Sequence, residues 1–196
     1  MTLPPDAFEP DSRAQWRAWL EAHHGTEKGV WLVLRKKSAG PMNLGGDEAV
    51  EEALCFGWID SKPRKLDESR SMLYLAPRKP GSGWSAVNKA RIERMRAAGL
   101  MTPAGQAKIN AALRDGSWTL LDAVDALEVP PDLEEALAAA QGARAHWDAF
   151  PRSARRGILE WIAQAKTAAT REHWVRETAT LAGRGERANQ WRKKAP

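Results

Sequence analysis

The sequence predicts an α+β fold, an N-terminal domain with a small antiparallel sheet and helices followed by an all-helical C-terminal extension. Three observations point there. Val30 to Arg35 and Ser71 to Ala76 are short runs rich in β-branched and aromatic residues, the composition of strands. Trp16, Trp19, Leu20 and His23 recur at helical spacing, as on one face of an amphipathic helix. After Pro103 the apolar residues keep that spacing and no strand signal returns.

Ser12, followed three residues later by Gln15, has the form of a capping box and starts a first helix that ends near Gly25. Val30 to Arg35 is the first strand. Asp47 is the expected cap of a second helix, with Val50, Ala53 and Leu54 on its inner face and Glu51 and Glu52 facing outward. Gly57 to Asp60 is a third strand candidate beside Ser71 to Ala76. Ser85 is placed to cap the next helix, where Arg91 and Arg94 share one half with Val87, Met95 and Ala98. Thr102 and Pro103 form a cap and first-turn pair for a helix turning Ile109, Ala112 and Leu113 inward.

Pro130 and Pro131 punctuate the chain, and DLEEALAAA, ARAHWDAF and the stripe of Ile158, Leu159, Trp161, Ile162 and Ala165 follow as helices. A last helix is expected after Thr170, burying Trp174, Val175, Thr178, Leu181 and Ala182 and stopping at Gly183, a suitable left-handed end. The division expected is an α+β domain over 1–125, a helical module over 126–185 and a basic, mobile tail over 186–196.

Composition narrows the function. The 196 residues are 43% hydrophobic, enough for a real core, and the net charge of +5 is regional: residues 61–96 hold ten Lys or Arg against three Asp or Glu. Such a field recruits nucleic acid or a small anion. Cys55 is the one cysteine, which excludes an intrachain disulfide and fits a reducing compartment. With no signal-peptide pattern at the N-terminus and no apolar run near the ~18 residues of a membrane helix, a cytoplasmic protein without membrane insertion is expected. The histidines His23, His24, His146 and His173 lack the spacing of a zinc site. No metal or cofactor is therefore expected, and no catalytic residue is assigned.

The stretch APRKPGSGWSAVNKARIERMRAAGLM, residues 76–101, carries the candidate site. Gly81 and Gly83 permit a tight turn and close approach of a ligand to the backbone. The helix start at Ser85 directs free amides outward, where an anion is favoured. Arg78 and Lys79 flank that turn, and Asn88 and Arg91 follow on the helix. A strand end bearing Asp60 and Arg64 is expected across a cleft, with Trp58 and Trp84 offering ring faces. Asp60 is better suited to orienting an arginine than to acting as a base, because nearby cations disfavour its acid form. For Arg91 and Arg94, an ion pair within the protein competes with a ligand.

Two stretches resemble the YdeI/OmpD-associated family, which is linked to bacteriocin protection. The first contains FGWID at Phe56 to Asp60 and the pattern Pro77 to Lys79, Ser82, Trp84, Ser85, Asn88 and Arg91. The second contains Pro151, Ser153, Arg155, Arg156, Trp161, Ile162, Ala165, Lys166, Thr170 and Arg171. The resemblance implies a bacterial protein of stress or antimicrobial-peptide tolerance and supplies no catalytic residues. The reading is a non-enzymatic binding protein for an anionic ligand, of unknown protein partner. Its alternatives are nucleic-acid binding by residues 61–96 and an enzyme acting on a small anionic substrate.

Overall fold

The two strand-like runs lie side by side in the computed structural model, which describes residues 3–190. Strand β2 (Val30–Arg35) pairs antiparallel with β4 (Arg70–Pro77), and β4 pairs antiparallel with β3 (Trp58–Lys65). A two-residue strand β1 (Ala7–Phe8) adds in parallel to β2, so the sheet has the order β1-β2-β4-β3 and is mixed rather than purely antiparallel. Two residues are too few to show a period of two, which is why β1 is silent in the sequence. Strand β3 continues five residues past Asp60 because its outer half still pairs with β4, as far as Lys65 opposite Ser71, after a register shift between Asp60 and Lys62. Ser61 to Lys65 are exposed and form one edge of the sheet.

Helix α1 (Arg13–His23) is capped as expected by Ser12, whose hydroxyl accepts from the Gln15 amide at 3.2 Å, but the reciprocal half of the capping box is displaced by one residue, Gln15 Oε1 accepting from the Asp11 amide. Its Trp16 and Leu20 are fully buried with Leu32, Ala53, Trp58 and Leu75, each large side chain contributing about 1.5–3 kcal/mol by leaving water. Helix α2 (Gly46–Cys55) begins one residue before Asp47, with Gly45 at the cap position and the Glu48 carboxylate accepting its amide at 2.8 Å. Asp47 is instead an exposed first-turn residue.

Glu51 and Glu52 depart furthest from expectation. They are 8% and 2% exposed. Arg13 and Arg17 of α1 hold Glu52 at 2.6 and 2.7 Å, and Arg13 and Arg94 hold Glu51 at 3.2 and 2.7 Å. An apparently outward helix face is thus covered by guanidinium groups, and buried charge persists only when so paired.

Helix α3 (Ala86–Ala97) buries Ile92 and Met95, while Val87 and Ala98 lie exposed. Helix α4 (Pro103–Asp115) is capped by Thr102, whose hydroxyl accepts from the Gly105 amide and also donates to the Cys55 carbonyl. It approaches the end of α2 so closely that a Cβ on Gly105 would stand 2.2 Å from that carbonyl oxygen. Ile109 and Ala112 are buried as expected, whereas Leu113 is 57% exposed, one position past the face that meets α2.

The chain divides into two compact units between Trp118 and Thr119. The second consists of α5 (Asp122–Asp125), α6 (Pro131–Ala139), α7 (Ala143–Ala149), α8 (Arg152–Ala163) and α9 (Ala168–Gly183). Leu133, Leu137, Trp147, Phe150, Ile158, Leu159, Ile162, Val175 and Ala182 make its core. The cap of α9 is Thr167, whose hydroxyl accepts from the Thr170 amide at 3.1 Å, so Thr170 is already helical. Gly183 remains in the helix, and the left-handed residue after it is Gly185, with φ of +71°. Residues 191–196 of the basic tail lie outside the described residues. Among the described residues no helix is long and apolar enough to cross a membrane.

Candidate functional site

Arg78 follows the last residue of β4, and its amide donates to the Gly57 carbonyl at 2.9 Å, which pins the start of the 78–84 turn to the head of β3. Gly81 adopts a φ of +71°, a conformation glycine enters without the steric penalty of a side chain. The turn folds back, and Arg78 Nη2 donates to the carbonyls of Ser82 and Gly83. Its guanidinium lies over the Trp84 ring, Cζ 3.7 Å from the centroid. Trp84 in turn contacts Trp118 at 5.1 Å between ring centroids, and Lys89 caps Trp118 at 5.2 Å. Two rings tilted by 46° thus lie between two cations, each cation over one ring, an electrostatically favourable arrangement.

Arg78 is 5% exposed, and among the described residues it forms no ion pair with a carboxylate. Its Nε is buried without a hydrogen-bond partner. Burial pushes its pKa down to about 10, against a nearby Asp60 charge that raises it, so it remains a cation at neutral pH. A buried cation with an open donor is what an anion would satisfy, since leaving it unmatched costs free energy.

Arg78 lines a pocket of about 70 Å³ together with Lys79, Gly81, Ser82, Trp84, Lys108, Asp115 and Ser117. That holds a group of a few atoms, far below the ~300–1,000 Å³ of a drug-sized site. Asp115 stands at the end of α4. Its carboxylate accepts from the hydroxyl and amide of Ser117 and from the Gly81 amide, which hold its pKa below the usual carboxylate value. The amide expected to greet an outside anion is therefore already engaged by a carboxylate of the chain.

The other expected site residues disperse. Trp58 is 1% exposed, edge-on to Trp19 and bonded through its indole N–H to the His24 carbonyl, so it belongs to the core. Asp60 is half-buried and acts on Arg78 through its charge, without direct contact. Arg64 lies six residues along β3 from Trp58, or ~20 Å at the rise of an extended strand, and its guanidinium sits over Trp31 at 5.9 Å. Gly83 contributes its carbonyl to Arg78. Ser85 caps α3, with its hydroxyl accepting from the Asn88 amide, while the Asn88 side chain accepts from Arg91 and Arg91 pairs with Asp47. Lys108, Asp115 and Ser117 carry no site signal in the sequence: Asp115-Gly116-Ser117 reads simply as a helix stop.

At least half of the ten cations in 61–96 pair with carboxylates of the protein. Arg70 pairs with Glu9 and Asp67, Lys65 with Glu68, Arg91 with Asp47, Arg94 with Glu51 and Arg96 with Glu93. Cys55 is fully buried, and desolvation, followed by the charge of Glu52, pushes its thiol up to about 11, so it is no nucleophile. The second unit has a larger open groove of about 770 Å³ floored by Ala136, Ala139, Ala140, Val175 and Ala179. Its arginines Arg171 and Arg176 are paired with Asp132 and Glu172.

Residues 8–108 match a family model described as a domain of unknown function, DUF8412. Residues 126–185 match a second model, described as Bacteriocin-protection, YdeI or OmpD-Associated. The motifs FGWID and the Pro77 to Arg91 pattern fall within the first match, and the Pro151 to Arg171 pattern within the second. No curated protein and no solved structure matches the chain.

Proposed function

The chain belongs to the DUF8412 family and carries a bacteriocin-protection, YdeI or OmpD-associated module, and from that premise we propose that its first unit is a non-enzymatic binding domain for a small anionic ligand. The observation that carries this reading is Arg78: a guanidinium 5% exposed, stacked on Trp84, with a buried Nε that meets no acceptor. Arg91 and Arg94, equally basic in sequence, have their carboxylates. The size of the pocket restricts the recognised group to a carboxylate, a phosphate or an ion of similar bulk. The description of the second module supports a role in tolerance of antimicrobial peptides.

The test is thermal unfolding in a titration of inorganic phosphate and acetate, with chloride adjusted to hold ionic strength constant. Ligand that binds only the folded state stabilises by RT ln(1 + [L]/Kd), about 1.4 kcal/mol at ten times Kd. Because even the best small ligands gain at most ~1.5 kcal/mol per heavy atom, four-atom acetate binds no tighter than tens of micromolar, about 6 kcal/mol, and the titration extends into the millimolar range. Arg78→Lys, which keeps the charge but loses the planar fork, should abolish the saturable shift, and Arg91→Ala should keep it. A shift that persists in Arg78→Lys and Arg78→Ala, or none in the native protein, overturns the reading.

A further inference from the structure

The pocket is lined by three cations, Arg78, Lys79 and Lys108, and one carboxylate, Asp115. Among the described residues its buried cation, Arg78, and its carboxylate form no ion pair, the Asp115 oxygens being engaged by the amides of Gly81 and Ser117 and the Ser117 hydroxyl. Elsewhere in the first unit, arginines and carboxylates that share a space find each other: Arg13 and Arg17 close on Glu52, Arg94 on Glu51, Arg70 on Asp67. At about 70 Å³, the space holds one small molecule rather than a solvated channel, given the ~30 Å³ that a water occupies in the liquid.

We infer that the ligand is a small zwitterion of the α-amino acid type, its carboxylate taken by Arg78 and its ammonium by Asp115. This rests on the anion-binding reading above and adds a choice among anions. A bare anion reaching Arg78 is repelled by Asp115, whereas an ammonium two bonds from the carboxylate carbon turns that repulsion into attraction. A carboxylate has lone pairs beyond those used by Gly81 and Ser117, because two oxygens offer about four acceptor sites. At about 70 Å³ the pocket leaves no room for a long side chain, so the smallest amino acids fit best. The lysines Lys79 and Lys108 add to the attraction for the carboxylate end.

The experiment compares glycine with acetate, which differ by the ammonium group, in calorimetric titrations of the full chain at neutral pH and constant ionic strength. Glycine is expected to bind about tenfold more tightly than acetate, the worth of ~1.4 kcal/mol. Asp115→Asn, which keeps an acceptor for the Gly81 and Ser117 amides, should erase that preference by weakening glycine and tightening acetate severalfold. Acetate binding as tightly as glycine in the native protein, or a glycine preference that survives Asp115→Asn, overturns the zwitterion inference and leaves the anion pocket standing. Failure of glycine, acetate and phosphate alike to bind overturns both. Circular dichroism of Asp115→Asn against the native chain guards the comparison, and Asp115→Glu, which moves the carboxylate by one methylene, should lower glycine affinity while acetate changes less.

Discussion

The α2-facing side of α3 and the turn that precedes α3 are adjoining parts of one basic segment, and they treat arginine in opposite ways. On the helix, Arg91 and Arg94 reach Asp47 and Glu51 of α2. In the turn, Arg78 is more deeply buried and has only backbone carbonyls and a ring face. The difference teaches that positive charge in a sequence does not by itself mark a binding surface. What marks one is a cation that the fold has buried and not matched, because that is the state a ligand improves.

The largest effect that sharpens this contrast should come from the matched side. Glu52→Ala leaves Arg13 and Arg17 without their shared carboxylate; removing one partner of a buried pair costs ~3–5 kcal/mol. Those arginines are 32% and 28% exposed and can turn to water, so about 3 kcal/mol is expected in urea unfolding. In buffer free of small anions, Arg78→Ala should cost less, about 1 kcal/mol, since two carbonyls lose a donor while an unmatched buried charge is also removed. A loss as large as that of Glu52→Ala would make Arg78 a structural brace and break the contrast. Arg91→Ala should be smaller still, ~0.5 kcal/mol or less, because its partner Asp47 is 81% exposed and pairs near water contribute little. Least of all is expected from an oligonucleotide: in an anisotropy titration at ~50 mM salt, binding should stay weaker than micromolar, since Arg70, Arg91 and Arg94 are engaged by Glu9, Asp67, Asp47 and Glu51. Micromolar binding with a steep salt dependence would show those pairs to be dispensable.

Much of the fold is legible locally. Strands β2 and β4, the caps at Ser12 and Ser85 and the Thr102–Pro103 helix start each depend on a few neighbouring residues. What escaped depends on distant partners. Glu51 and Glu52 read as a solvated face because the arginines that bury them come from α1 and α3, as far as 43 residues away. Leu113 is apolar and on the predicted stripe, yet no element covers it. At the site, Arg78, Lys79, Gly81 and Trp84 were legible from one continuous turn, whereas Lys108, Asp115 and Ser117 arrive from another helix. Arg64 and Arg91 were misjoined to the turn because sequence proximity does not reveal that an extended strand carries one away and a helix face turns the other toward α2.

The exposed margin of β3 carries Lys62, Pro63, Arg64 and Lys65 in unbroken succession, just past the register shift. An open strand margin is a template on which another chain can add. Proline removes a donor from that margin and the three cations repel an identical margin brought alongside. Residues that contribute to the regional positive charge are thus also ones that disfavour pairing of sheet with sheet, and replacing them with threonine and valine should raise the tendency to fibrous self-association, read by thioflavin T fluorescence.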